Sequence, residues 1–326
     1  MGLENLYFKL ENINPSGSYK DRFAAMVVSR LLEKQVGFCL ATSSGNTGAA
    51  LAAYCAAAGI RCFLVVVDGA PQGKLLQMQA YGASTLMVKN FGKDPNVSTE
   101  VMESLASLAT AAGTSVHISA FCYSPVAMQG VQTIAYELAE KLDRAQVFVP
   151  AGGGGLTLAV CRGFDRWQEH RGQKLNFQVY CVQPEGNNSI SGALSAGHDQ
   201  AELLASCTSS ISGLQVPNVL DGNEVITACR ASGGTGFAVP DDLIYQCQEE
   251  MAQKEGIFCE PAGSTALAGL KQAILQGKID KKEPVICLVT GHGFKDPTSA
   301  TKIAGKADNQ FIQNPELLWE YLNTHI

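Results

Sequence analysis

Asn14-Pro15-Ser16-Gly17-Ser18-Tyr19-Lys20-Asp21-Arg22 is the stretch from which the rest of the chain can be read. Pro15 and Gly17 set a turn. The turn delivers Lys20 to the start of an apolar helix, Phe23-Ala24-Ala25-Met26-Val27-Val28. A lysine is a nucleophile only when its amine loses a proton, which burial and nearby cations favour. A lysine alone at a helix start is ordinarily solvated. This one is accompanied by Thr42-Ser43-Ser44-Gly45-Asn46-Thr47-Gly48, Ala151-Gly152-Gly153-Gly154-Gly155-Leu156 and Val289-Thr290-Gly291-His292-Gly293.

Each of these stretches has a chemical reading beside a bland one. Gly152, Gly153, Gly154 and Gly155 follow a predicted strand and open a predicted helix. Without Cβ atoms the backbone can wrap an anion, and its N–H groups and the helix N-terminus suit a phosphate. The bland reading is a flexible turn. The run is no Walker A loop, since no Lys-Ser/Thr follows, and it lacks the GxGxxG dinucleotide pattern. Ser43, Ser44, Gly45, Asn46 and Thr47 lie between a strand and a helix. Their hydroxyls and amides suit a substrate carboxylate; equally, they make an ordinary N-cap, and the same residues can serve both purposes.

Composition narrows the class. The chain has 326 residues, 46% hydrophobic and 17% charged, as in a globular enzyme. A net charge of −6 argues against nucleic-acid binding. Eleven cysteines with no CxxC pair, several in apolar runs (Cys39, Cys62, Cys181, Cys287), read as buried thiols of a reducing compartment. No signal peptide and no membrane-spanning apolar run are seen, so the expected location is the cytoplasm. His117, His170, His198 and His325 show no ligand spacing, and no metal is expected.

Along the chain, predicted strands (6–10, 38–41, 60–67, 85–89, 115–119, 146–150, 177–183, 284–290) alternate with predicted helices (21–34, 47–58, 72–81, 99–112, 126–142, 155–169, 241–254, 262–276). Alternation of this kind predicts an α/β fold with mostly parallel sheets flanked by helices. Residues 185–240 read as looser, and a last amphipathic helix is predicted over 315–322.

The four stretches, in this order, resemble the pyridoxal-phosphate enzymes of fold type II, the tryptophan-synthase-β-like superfamily, over about residues 6–297. Within it the chain looks most like the threonine synthases, then the serine and threonine dehydratases. The lysine segment, Glu255-Gly256-Ile257-Phe258-Cys259-Glu260-Pro261-Ala262 and Thr290-Gly291-His292-Gly293-Phe294-Lys295-Asp296-Pro297 carry the first likeness; the four glycines followed by Leu156 carry the second.

The resemblance implies two domains. A small one at 39–128 is inserted in a large one of 1–38 plus 129–326, with the active site in the cleft between them. It implies pyridoxal 5′-phosphate held as a Schiff base by Lys20, with its phosphate on Gly152, Gly153, Gly154 and Gly155. Asn46 would bond its phenolic oxygen, and Thr290 would face its pyridine nitrogen. Ser43, Ser44 and Thr47 would meet the substrate. Glu260 and Gly213 would line the cofactor; Asp21 and Arg22 would be structural, and His292 either touches substrate or makes a structural bond. A neutral Thr290 leaves the ring nitrogen largely unprotonated, which favours prompt loss of a leaving group.

The implied reaction is elimination or replacement of a side-chain group of a small amino acid, through an aminoacrylate-type intermediate. The alternative is threonine synthase proper, γ-replacement on O-phosphohomoserine. The threonine synthases usually carry Asn-Pro-Tyr-Arg where this chain has Ser124-Pro125-Val126-Ala127. Loss of that arginine removes a bidentate phosphate ligand, and no Lys or Arg occurs from His117 to Gly130. The expectation is therefore an uncharged or smaller leaving group, with Ala127→Arg improving phosphohomoserine binding. The family is often dimeric, so a homodimer is implied.

Overall fold

Near-continuous apolar runs such as Arg61-Cys62-Phe63-Leu64-Val65-Val66 and Val285-Ile286-Cys287-Leu288-Val289 leave no solvent face. Strands of this kind belong inside parallel sheets covered on both sides by helices. The computed structural model, which describes residues 2–70, 72–305 and 311–325, has two such sheets. In the larger, β1 (Leu6–Leu10), β8 (Val285–Val289), β5 (Arg144–Pro150), β6 (Asn176–Pro184) and β7 (Gly236–Val239) lie side by side in that order. In the smaller, β2 (Phe38–Thr42), β3 (Arg61–Val66) and β4 (Ser84–Met87) follow one another. Every pairing is parallel. The fold is α/β, as expected.

The helices are α1 (Lys20–Glu33), α2 (Asn46–Ala58), α3 (Gln72–Ala80), α4 (Pro95–Ala111), α5 (Pro125–Met128), α6 (Thr133–Ala139), α7 (Gly155–Arg171), α8 (Ser191–Ser195), α9 (Gly222–Ala231), α10 (Asp241–Glu255), α11 (Pro261–Leu275), α12 (Pro297–Ala304) and α13 (Pro315–His325). Helix α11 covers the large sheet and is buried over most of its length. Helices α1 and α2 pack on each other, and their apolar faces share one core with β2, β3, β5 and α7. Among the described residues no helix is long and apolar enough to cross a membrane.

Four expectations change. Residues 115–119 form no strand; only His117 pairs, its N–H bonding Leu40 O, after which the chain turns at Ala120. The helix expected over 126–142 is broken into α5, a tight turn at Gln129–Gln132, and α6. A Cβ at Gly130 would collide with the Arg22 carbonyl, so the segment bends where it meets α1. The loose stretch 185–240 contains α8, α9 and β7, elements of ten residues or fewer. Helix α12, capped by Asp296 on Ser299 N, was not foreseen.

Ends of strands position the lysine turn. Gly17 N–H bonds Asn14 O at 2.7 Å, and Gly17 has φ +85°, a conformation that favours glycine. The Asp21 carboxylate turns back to accept the Ser16 N–H at 2.7 Å and the Ser16 hydroxyl. Arg22 donates to Glu11 and to both oxygens of Glu137 at 2.7–2.8 Å. Burial alone would raise the Glu11 carboxyl, but Arg22 and Lys9 overcome it and hold it below the usual range. Asp21 thus ties the turn to the start of α1, and Arg22 ties it to Glu11, just past β1, and to α6.

Candidate active site

Lys20 opens α1 at the mouth of a cavity of about 470 Å³. Its Nζ donates to Ser119 Oγ at 2.6 Å, and Ser119 Oγ lies 2.9 Å from Thr47 Oγ1. The ammonium also sits 4.6 Å from the Tyr19 ring centroid. Thr290, at the end of β8, reaches the same place because its strand runs past the turn. Tyr19 N–H bonds Thr290 O at 3.0 Å and His292 N–H bonds Gly17 O at 2.9 Å.

The loop between β2 and α2 forms the facing wall. Ser43 Oγ accepts the amides of Gly45 and Gly48 at 3.2 and 3.1 Å, so its oxygen closes the turn while lining the cavity. Asn46 Nδ2 donates to Glu260 Oε1 at 2.8 Å. An amide nitrogen has two hydrogens, which leaves a second donor. Ser44 and Thr47 complete this wall.

Gly152, Gly153, Gly154 and Gly155 form the floor, where β5 passes into α7. Gly154 has φ +92°, and added Cβ atoms would meet neighbours throughout the run. At Gly153 the Cβ would come within 2.5 Å of Leu220 Cδ1, and at Gly154 within 2.8 Å of Val225 Cγ2. The first amides of α7 have no intrahelical acceptor, and they open on this floor. Bare backbone, a helix N-terminus and a neighbouring lysine fit a phosphorylated aldehyde cofactor. Gly213 (φ +89°) and Glu260 also line the cavity.

The family model for pyridoxal-phosphate dependent enzymes matches residues 1–291. The chain belongs to this family. Curated relatives of this pyridoxal-phosphate dependent enzyme include the threonine synthase of Methanocaldococcus jannaschii, 32% identical over 308 residues, 93% of this chain and 73% of that protein. Another is the threonine synthase of Halalkalibacterium halodurans, 32% identical over 298 residues, 90% and 79% of the two chains. Among solved structures, the processed threonine deaminase isoform 2 of Solanum lycopersicum superposes with a TM-score of 0.72 at 23% identity, over 93% of this chain and 79% of that one. Diaminopropionate ammonia lyase of Escherichia coli gives 0.74 at 17% identity, over 94% and 84%. At these identities the structures establish a shared fold only. The chain is a pyridoxal-phosphate-dependent lyase or replacement enzyme, and the curated relatives named above are threonine synthases.

All the residues singled out from sequence for cofactor or substrate line this one cavity of the pyridoxal-phosphate dependent enzyme. His292 does not: its Nδ1 accepts Phe294 N–H at 3.3 Å and its ring packs edge-on against Phe258. Ser119, Gln77 and Lys295 line the cavity and were not assigned from sequence. Ser119 ends an alternating segment, Ser115-Val116-His117-Ile118-Ser119, that reads as an ordinary strand, so nothing in the sequence marks it. Lys295 stood in a quoted segment, but its approach to the cavity depends on α12 and the turn before it. Its Nζ donates to Gln77 Oε1 at 2.9 Å, and Gln77 Nε2 in turn donates to Ser16 O at 2.9 Å. Burial lowers the Lys295 pKa, while Glu260 and Asp21 act to raise it.

Ser119→Ala is expected to lower kcat about tenfold with the cofactor retained. A hydrogen bond to a charged group contributes about 1.5–3 kcal/mol, and about 1.4 kcal/mol is tenfold in rate. Steady-state kinetics beside the cofactor absorbance will check it; an unchanged kcat would make Ser119 a bystander.

Proposed function

We propose that this enzyme eliminates or replaces a side-chain group of a small amino acid, with Lys20 as the lysine that carries the cofactor. The observation behind the reading is that Lys20, the Gly152–Gly155 floor and Thr290 share one cavity. Gly152, Gly153, Gly154 and Gly155 would hold the phosphate, Asn46 the phenolic oxygen, and Thr290 the ring nitrogen. When bound to an amino acid, pyridoxal phosphate draws electrons from the bonds at the α-carbon. Lys20 Nζ, as the free amine, takes the α-proton and later returns a proton. Ser119 Oγ, bonded to both Lys20 Nζ and Thr47 Oγ1, orients that amine. The loop at Ser43, Ser44 and Thr47 holds the substrate carboxylate through groups other than the Gly45 and Gly48 amides, which Ser43 Oγ already accepts.

One observation favours a second reading, γ-replacement on O-phosphohomoserine. Lys295 brings an ammonium to the cavity from outside the 117–130 segment, hydrogen-bonded to the neutral Gln77 amide. The threonine synthases among the relatives fit the same reading. Ala127 is no longer the deciding position. It is 6% exposed, packed in the core beside α1, and absent from the cavity wall. Ala127→Arg is therefore expected to destabilise rather than to improve phosphohomoserine binding. Overpacking and burial of an unpaired charge cost about 3 kcal/mol or more together. A thermal melt and a phosphohomoserine titration of the variant decide this; an unchanged Tm with tighter binding would restore the original expectation.

The test of the reaction is to mix the holoenzyme with serine, threonine, homoserine and O-phosphohomoserine and identify the products. Oxo acid from serine or threonine supports the first reading. Efficient threonine formation from O-phosphohomoserine overturns it in favour of the second. The same proposal takes 39–128 as a small domain, which the separate sheet β2-β3-β4 supports, with the site in the cleft beside it. It places the enzyme in the cytoplasm, in keeping with eleven free cysteines, and as a homodimer, which light scattering tests.

A further inference from the structure

Three thiols of the small sheet meet away from the cavity. Cys39 on β2 and Cys62 on β3 are register partners across the parallel pair, so both side chains leave one face of the sheet. Cys55 on α2 packs onto that face. The three sulfurs all lie within 4.8 Å of one another, and the residues are 0%, 0% and 6% exposed. Among the described residues no other three thiols, imidazoles or carboxylates come so close. Small apolar side chains would fill such a face equally well, and three sulfurs gathered within 4.8 Å of one another do more than fill it.

We propose that Cys39, Cys55 and Cys62 form a three-thiolate site for a trivalent thiophilic metalloid, of which arsenite is the probe. Soft thiolates select soft acceptors. Charge then selects among them. Three thiolates around a divalent ion carry net −1, and around a monovalent ion −2. The three belong to a hydrophobic cluster of Ala, Leu, Val, Ile, Phe and Met side chains, no Lys or Arg is among the fully buried described residues, and an unpaired buried charge is costly. Zinc also takes four ligands, and its structural sites are closed by four protein side chains. A trivalent centre bound by three thiolates is neutral and needs no fourth ligand. Its three bonds run to three sulfurs, and the three here lie within 4.8 Å of one another. The step balances without an oxidant. Arsenous acid, As(OH)3, and three Cys S–H groups give As(S-Cys)3 and three waters. Three S–H and three As–O bonds break, and three As–S and three O–H bonds form.

The consequence is local stiffening beside the candidate active site. β2 runs from Cys39 directly into the Ser43 loop, and α2 carries Asn46 and Thr47 at one end and Cys55 near the other. A bound metalloid ties β2, β3 and α2 together at the base of that loop.

The test uses the holoenzyme with exposed Cys122 replaced (Cys122→Ser), reduced and free of air. One sample is titrated folded; a second is refolded from urea with arsenite present, so that restricted entry is not mistaken for absence of a site. One arsenic per chain, three thiols protected from a thiol reagent, a sulfur-to-arsenic absorption band and a higher Tm are expected. Cys55→Ala and Cys62→Ala, small changes in an apolar core, should each weaken binding at least a hundredfold and abolish the Tm rise while the far-ultraviolet spectrum stays native. No arsenic in either sample, two protected thiols per arsenic, or binding indifferent to Cys55→Ala and Cys62→Ala would each overturn the proposal.

Discussion

Lys20→Ala is expected to purify colourless or with loosely held cofactor, and to lose roughly a thousandfold or more in kcat. Lys20 has two tasks in the proposed arrangement, and the substitution removes both. The covalent hold on the cofactor goes, and so does the general base, which alone contributes on the order of 10²–10⁴ in rate. The fold should survive. Lys20 is the first residue of α1, and the helix is anchored by Phe23, Ala24, Val27, Val28 and Leu31 on its buried face. The Asp21 and Arg22 bonds that fix the turn do not involve Lys20. Borohydride reduction of the wild-type holoenzyme followed by peptide mapping should place the reduced cofactor on Lys20. An adduct on another lysine, or an alanine variant that keeps both its colour and its rate, would refute the assignment.

Most of the residues legible from sequence share a property: they sit where a strand gives way to a helix or a turn. The Ser43 loop follows β2, the glycine floor follows β5, and Thr290 follows β8. Those junctions lie at the C-terminal edge of parallel strands, where such folds gather their ligands. Clustered Gly, Ser, Asn and Thr mark them without any tertiary information. Ser119 was not legible for the opposite reason. Its segment was read as a strand, and a strand would have hidden its hydroxyl among alternating side chains. The chain instead leaves the sheet after His117, which frees Ser119 to meet Lys20.

Electrostatics was legible only in part. A neutral wall over 117–130 can be read from the residues themselves, but the cavity is lined by segments far apart in the chain. Lys295 arrives from a segment 275 positions beyond Lys20 (295 − 20). Ala127 stands where the resemblance to the threonine synthases leads one to expect an arginine. In this chain the segment bends at Gly130 and buries Ala127 against α1. The meeting of Cys39, Cys55 and Cys62 likewise depends on register between β2 and β3, which no spacing in the sequence reveals.

Gly153→Asp is expected to lower cofactor retention by two to three orders of magnitude while leaving the fold largely intact. Two effects must be separated. Any side chain at this position presses on the segment behind the loop, because a Cβ comes within 2.5 Å of Leu220 Cδ1. Leu220 Cδ1 is the end of a side chain that can move, and Gly153 is not among the glycines with positive φ, so Gly153→Ala should be tolerated with a modest loss. The aspartate adds a carboxylate beside the proposed phosphate seat. Two unit charges about 4 Å apart repel by about 4 kcal/mol at the effective dielectric typical near a protein surface. About 1.4 kcal/mol corresponds to a tenfold change in affinity, so the electrostatic part alone reaches several hundredfold or more. Dialysis against cofactor-free buffer, followed by absorbance and circular dichroism, measures retention and fold together for both variants. Repulsion requires the aspartate variant to lose far more cofactor than the alanine variant at similar helix content. Equal losses in the two would mean that crowding alone acts, and unchanged retention in both would place the phosphate away from Gly152–Gly155.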